Sequence, residues 1–171
     1  EDAGTRKKAM TEVGRLGRRA LPYMQSLVVA IKTEREWEER ECAATTLART
    51  GQPAAKSLEA LLADPDIQVR KSAARALGCM GPEAAPAAAA LVARLDAETD
   101  TIVRDDLVWA IREVGPAAVP SLCARFHLGP EDLDFPVKWV FSHYGRTSVP
   151  LLTTLLRCDQ RSVRIVAAMA L

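Results

Sequence analysis

The stretch VRKSAARALGCMGPEAAP, Val69 to Pro86, starts on good helix formers and then places Gly78, Gly81, Pro82 and Pro86 within nine residues. Glycine and proline each weaken a helix interior, so the stretch is either one helix broken twice or two helices and their joint. The rest of the chain settles which, because the joint recurs. Aligned on Gly81, matching glycines stand at Gly17, Gly51, Gly115 and Gly145, at intervals of 34, 30, 34 and 30 residues. Five residues after them come Pro22, Lys56, Pro86, Pro120 and Pro150; eleven before them come Arg6, Arg40, Arg70, Arg104 and Asp134. At the end of the chain SVRIVAAMAL repeats the phase of QVRKSAARAL, with Arg164 in the arginine position. Self-similarity at a period of roughly 20–50 residues is the mark of a stacked repeat array.

Each glycine is expected to end one helix as a left-handed cap, and each proline to start the next, where its missing N–H does no harm. First helices are expected at about 21–32, 53–63, 84–95, 117–127 and 148–157. Second helices are expected at about 3–16, 37–50, 67–80, 101–114, 134–144 and 161–171. In the second helices the residues eight, seven and four before the glycine are mostly apolar: Ala9, Met10 and Val13; Ala43, Ala44 and Leu47; Ala73, Ala74 and Leu77; Leu107, Val108 and Ile111. Lys138 breaks the pattern in the fifth copy. This spacing makes one buried helical stripe, and its alanines let neighbouring helices approach closely. The expected fold class is therefore all-α.

The elements D-x-x-V-R at Asp66 to Arg70, A-A-x-x-L-G-x-x-G at Ala73 to Gly81 and A-x-P at Ala84 to Pro86 resemble HEAT repeats, of the short bacterial kind also found in phycobilisome lyases. The resemblance covers the whole chain and is poorest in the fifth copy, where the arginine is missing and Pro136 delays the helix. It implies a right-handed α-solenoid of stacked antiparallel helix pairs whose second helices line a concave face. It implies little about activity, because function follows the site and not the fold. Residues 1–171 read as a single array of about five and a half repeats. Neither end carries the polar cap that a terminal repeat needs, so the array is expected to be part of a longer solenoid.

The recurrent arginine has an acid four residues earlier in four copies: Asp2 with Arg6, Glu36 with Arg40, Asp66 with Arg70, and Asp100 with Arg104. The acid falls at a helix start, where it can cap and complement the dipole. The arginine can reach back to it or across to the next repeat. Recurrence in unit after unit is what a structural brace predicts; a charged ladder for a ligand is the competing reading.

Composition narrows the function. The chain has 23 basic and 22 acidic side chains, a formal net charge of +1, so no global field attracts a polyanion. The one basic concentration, Arg6, Lys7, Lys8, Arg15, Arg18 and Arg19, reads as a solvated face. The acids Glu34, Glu36, Glu38, Glu39 and Glu41, interleaved with Arg35 and Arg40, read as a solvated helix start rather than a metal site. Cys42, Cys79, Cys123 and Cys158 form no CxxC or Cys/His knuckle and read as reduced core thiols, which points to a cytoplasmic protein. No metal and no cofactor are implied, and no continuous apolar run reaches the length of a membrane span.

Five of the eight aromatic residues fall between Phe126 and Tyr144. Trp109 and Trp139 share one repeat position, six before the glycine, where other copies carry Thr11, Thr45 and Arg75. The shared position predicts two indoles side by side on adjacent second helices, near Arg112, Phe135 and His143. Such a patch is a favoured anchor for a partner; filling a gap left by the irregular fifth copy is the competing role. The leading functional reading is a non-catalytic scaffold that presents a concave helical surface to a protein or peptide. A second is a nucleic-acid-directed enzyme similar to the HEAT-like DNA glycosylases, with Trp109, Trp139, Asp105 and Asp106 in the site; the near-neutral charge weighs against it. A chromophore-lyase partner is a third, implied only by the repeat subtype.

Overall fold

The computed structural model describes residues 3–125 and the single positions 153, 156, 164 and 168. Eight α-helices follow one another over 3–125: α1 (Ala3–Arg15), α2 (Met24–Thr33), α3 (Trp37–Ala48), α4 (Gln52–Leu61), α5 (Ile67–Met80), α6 (Ala88–Ala97), α7 (Thr101–Val114) and α8 (Val119–Arg125). Among the described residues there is no strand. The stretch Val69–Pro86 is thus two helices and a joint. The expected fifth and sixth second helices lie outside the described residues.

The chain is an α-solenoid of stacked antiparallel helix pairs. α2 packs on α3, α4 on α5 and α6 on α7, and the second helices α1, α3, α5 and α7 stack in a row, most extensively α5 against α7. The apolar stripe read from the sequence is the core: Ala43, Leu47, Ala73, Leu77, Leu107 and Ile111 are fully buried, as are Leu58 and Leu91 of the first helices. Each such leucine contributes about 1.5–3 kcal/mol by leaving water.

The joint differs from the expected left-handed cap. Gly51, Gly81 and Gly115 all have positive φ, of 83°, 56° and 77°, but with ψ of −159°, −131° and −146°. Positive φ with ψ near ±150° is a conformation open essentially to glycine alone. The glycine requirement is therefore stricter than at an ordinary cap, where asparagine also serves.

Of the prolines five residues after a glycine, Pro120 stands in the first turn of α8 as expected, but the other two described do not. Pro22 and Pro86 do not start α-helices; each sits inside a 3₁₀ stretch, Gly17–Tyr23 and Gly81–Ala87, and the α-helix begins after it. A proline cannot donate to the carbonyl four residues back, so the chain winds in the tighter form until it is passed. Where Lys56 replaces the proline, no 3₁₀ stretch forms and α4 runs from Gln52, directly after Gly51. The most apolar helical stretch, 67–97, has the length and composition of a membrane span, but Gly81 divides it into α5 and the 3₁₀–α6 segment, and half of it is buried.

Candidate partner surface on the second helices

The sequence-predicted residues divide into a ladder inside the stack and an outward-facing row. In the ladder, the Arg40 side chain donates to the backbone carbonyls of Ile31, at 3.1 Å, and Glu34. Arg104 donates to the carbonyls of Leu95, at 2.9 Å, and Glu98, at 3.2 Å. Arg70 donates to the carbonyls of Asp64 and Pro65, at 3.0 and 2.9 Å. Arg40 and Arg104 thus meet the carbonyls at the end of the first helix of their own repeat, the negative end of that helix dipole, whereas Arg70 meets carbonyls of the loop that follows α4.

Arg70 also holds both carboxylate oxygens of Glu98 in the next repeat, at 2.8 and 3.0 Å. Arg6 contacts Glu34 of the next repeat at 3.2 Å and Glu39 at 3.2 Å. The local acids do something else. Asp66 accepts from the backbone N–H of Gln68, and Asp100 from those of Ile102 and Val103, so both cap their helices. Glu36 occupies the same place without a side-chain cap bond. The side-chain hydrogen bonds of Arg40 and Arg70 therefore go to other partners than the acids four residues earlier. Asp2 lies outside the described residues.

The acid-rich start of α3 is not simply solvated, as the sequence reading had it. Glu39 is buried, in the repeat position that holds Val69 and Val103 elsewhere, and Arg6 compensates its charge. With two carboxylates facing one guanidinium, the hydrogen bond that the protonated Glu34 carboxyl donates to Glu39, together with burial, pushes Glu34 above the usual carboxylate range. Among the described residues, no cluster of His, Cys, Asp and Glu is arranged to hold a metal ion.

The outward row is more varied. Six residues before each glycine stand Thr11, Thr45, Arg75 and Trp109, the last three half-buried and Thr11 exposed. The Trp109 ring lies against α5 at Gly78: a Cβ added there would fall 2.2 Å from its ring carbon Cζ3. Gly78 is thus a slot for the indole, a role that the sequence reading missed; its signal was a glycine in a helix interior, where it weakens the helix relative to alanine. Arg75 bridges the helices on either side, with Glu41 of α3 at 3.1 Å and Asp106 of α7 at 3.9 Å. Among the described residues, Glu41 Oε2 and Asp106 Oδ2 are buried without a hydrogen-bond partner. Burial raises the Asp106 carboxyl, against the pull of Arg75.

Trp37 adds an exposed ring beside an open groove of about 370 Å³ between α1 and α3, lined also by Thr11, Glu41, Cys42, Thr45 and Arg49. Cys79 is exposed on the same helix row, not in the core as expected, and burial of its sulfur together with Glu41 raises its pKa. Arg112 is half-buried and donates to Glu113 beside it. Trp139, Phe135 and His143 lie outside the described residues, so of the predicted aromatic pair the structure describes one ring.

Fold and surface together define a class: a helical-repeat protein whose second helices form a continuous, chemically varied row. A profile of HEAT repeats matches residues 24–112, more than half of the chain, and the chain belongs to that family. No curated protein matches it. Among solved structures, a designed armadillo repeat protein in complex with the peptide (KR)4 is similar over 96% of this chain and 89% of its own, at 16% identity and a TM-score of 0.49. An engineered protein is similar over 99% and 90%, at 22% identity and a TM-score of 0.46.

Proposed function

We propose that the chain is a non-catalytic scaffold that binds a protein or peptide partner along the row formed by α1, α3, α5 and α7, on the concave side of the solenoid. The observation that carries this is the contrast within the repeats. The inward stripe keeps to small and aliphatic residues, whereas the outward position runs Thr11, Thr45, Arg75, Trp109. A face built only to be solvated has no use for a half-exposed indole set on a glycine. Trp109 supplies the apolar anchor. Trp139, Phe135, His143 and Arg112 extend the same site in this reading. The Arg6, Arg40, Arg70 and Arg104 ladder braces the stack and takes no part in binding. A cytoplasmic setting fits the free thiols of Cys42 and Cys79.

The test starts from a photo-crosslinker at Thr45, which identifies what occupies the row in cells. Trp109→Ala should then weaken the isolated pair by about 2 kcal/mol or more, roughly 30-fold, while the helical circular dichroism is kept. Equal affinity of the variant would remove Trp109 from the site. Salt-dependent binding of duplex DNA by the same surface would favour the nucleic-acid reading instead.

A further inference from the structure

The glycine intervals alternate between 34 and 30 residues, so the full period is 64 residues, and the structure keeps it. The 3₁₀ stretch 17–23 recurs as 81–87, and α2 over 24–33 as α6 over 88–97. The bonds of Arg40 to the Ile31 and Glu34 carbonyls recur as those of Arg104 to Leu95 and Glu98, and the Arg6–Glu34 pair recurs as Arg70–Glu98. The groove between α1 and α3 is therefore the counterpart of the seam between α5 and α7. In that seam Arg75 reaches toward Asp106, at 3.9 Å, and the Trp109 ring lies against Gly78. The counterparts of Arg75 and Trp109 are Thr11 and Thr45. Both line the open groove of about 370 Å³, which thus has two small side chains where the seam has two large ones. Thr11 Oγ1 and Cys42 Sγ, 3.6 Å apart, stand where Arg75 and Asp106 meet. The groove has an exposed ring and two carboxylates of its own, Trp37 with Glu38 and Glu41, against one cation, Arg49.

We propose that the α1–α3 groove takes from a partner peptide the two groups that the chain itself supplies in the α5–α7 seam: an arginine guanidinium and an aromatic ring. The inference rests on the partner-binding reading above and narrows the chemistry of that partner. The guanidinium stacks on the Trp37 indole and donates to the carboxylates of Glu38 and Glu41, the planar, charge-assisted contact that a lysine ammonium makes less well. The Glu41 carboxylate already takes one guanidinium from the other side, that of Arg75 at 3.1 Å. The aromatic ring fills the space over Thr11 and Thr45 that their small side chains leave. The lining carries two acids to one base, so a basic peptide is favoured and an acidic one disfavoured.

The probe is the capped tripeptide acetyl-Arg-Gly-Trp-amide, titrated into the 171-residue chain and followed by amide chemical shifts. Saturable shifts around Thr11, Glu41 and Thr45 are expected. Glutamate in place of the arginine of the probe, or alanine in place of its tryptophan, should weaken binding about fivefold or more. Trp37→Ala should weaken it to the same degree, and because Trp37 is exposed the helical circular dichroism should stay as it is. Thr11→Arg with Thr45→Trp gives the groove the residues of its counterpart; the helical signal should be kept and the probe should no longer bind. The proposal is overturned by equal binding of the glutamate probe, by no saturation at millimolar peptide, by shifts that map outside the groove, or by full binding to Trp37→Ala. The partner-binding reading fails separately, when Trp109→Ala leaves the affinity for the crosslinked partner unchanged. A partner captured at Thr45 through a segment with neither arginine nor an aromatic residue overturns this inference and leaves that reading standing.

Discussion

Glu34 and Glu98 stand at the same place in their repeats, seventeen residues after a glycine, and titrate in opposite directions. Glu34 shares one arginine with a buried neighbour, Glu39, and its carboxyl is raised. Glu98 has two arginines to itself, Arg70 and Arg94, and accepts the backbone N–H groups of Thr99 and Asp100. The bonds from Arg70, ahead of the opposing effect of burial, bring it down to about 2. A carboxyl lowered on folding stabilises the fold above its ordinary pKa near 4.5 and loses that contribution as pH falls toward 2. Denaturant melts should show about 3 kcal/mol of stability disappearing between roughly pH 5 and 2, and Glu98→Gln should flatten that window. Gly78 is the other decisive residue. Gly78→Ala raises helix propensity, yet its methyl meets Trp109 and must push the indole off α5. It should destabilise by about 1–3 kcal/mol and red-shift tryptophan fluorescence; a stabilised variant would show that the slot is loose.

At the scale of the element, the same repeat position takes two forms. Pro22 and Pro86 accompany 3₁₀ stretches, and Lys56 an uninterrupted α4 in a repeat four residues shorter. Lys56→Pro brings this repeat to the residue its neighbours carry, but it removes an internal hydrogen bond of α4 and clashes with the preceding turn. A loss of about 3 kcal/mol is expected, read as a lower midpoint in urea. The ladder is tested by Arg70→Ala, which leaves the buried Glu98 carboxylate with less compensation. It should cost about 3 kcal/mol or more, and more than Arg104→Ala, since the bonds seen for Arg104 go to neutral carbonyls. A thermal melt unchanged by both substitutions would show that the ladder carries no stability.

For the whole molecule, burial depends on place in the stack rather than on residue type. Leu47, between neighbours on both sides, is fully buried, and Leu16 at the first repeat is 45% exposed. Leu47→Ala should cost about 2–5 kcal/mol, and Leu16→Ala in the 171-residue chain less than about 1 kcal/mol. Thermal or urea melts of the two variants side by side check this.

The recurring glycines, the arginine position and the three-residue apolar stripe made the solenoid legible without coordinates. They also placed the four described second helices, α1, α3, α5 and α7, within one or two residues. These are local properties: a backbone conformation that only glycine tolerates, a helical period, and a cap, each written in a few neighbouring residues. Four outcomes were not legible: the 3₁₀ stretches, buried Glu39 paired with Arg6, Glu98 as the partner of Arg70, and Trp109 on Gly78. The last three join residues 28 to 33 positions apart, across the stack. Which side chain faces which across two helices depends on rotamers and on the exact offset of one repeat upon the next. A one-dimensional pattern of period 34 and 30 records that a neighbour exists, but not which of its atoms will be within hydrogen-bonding distance.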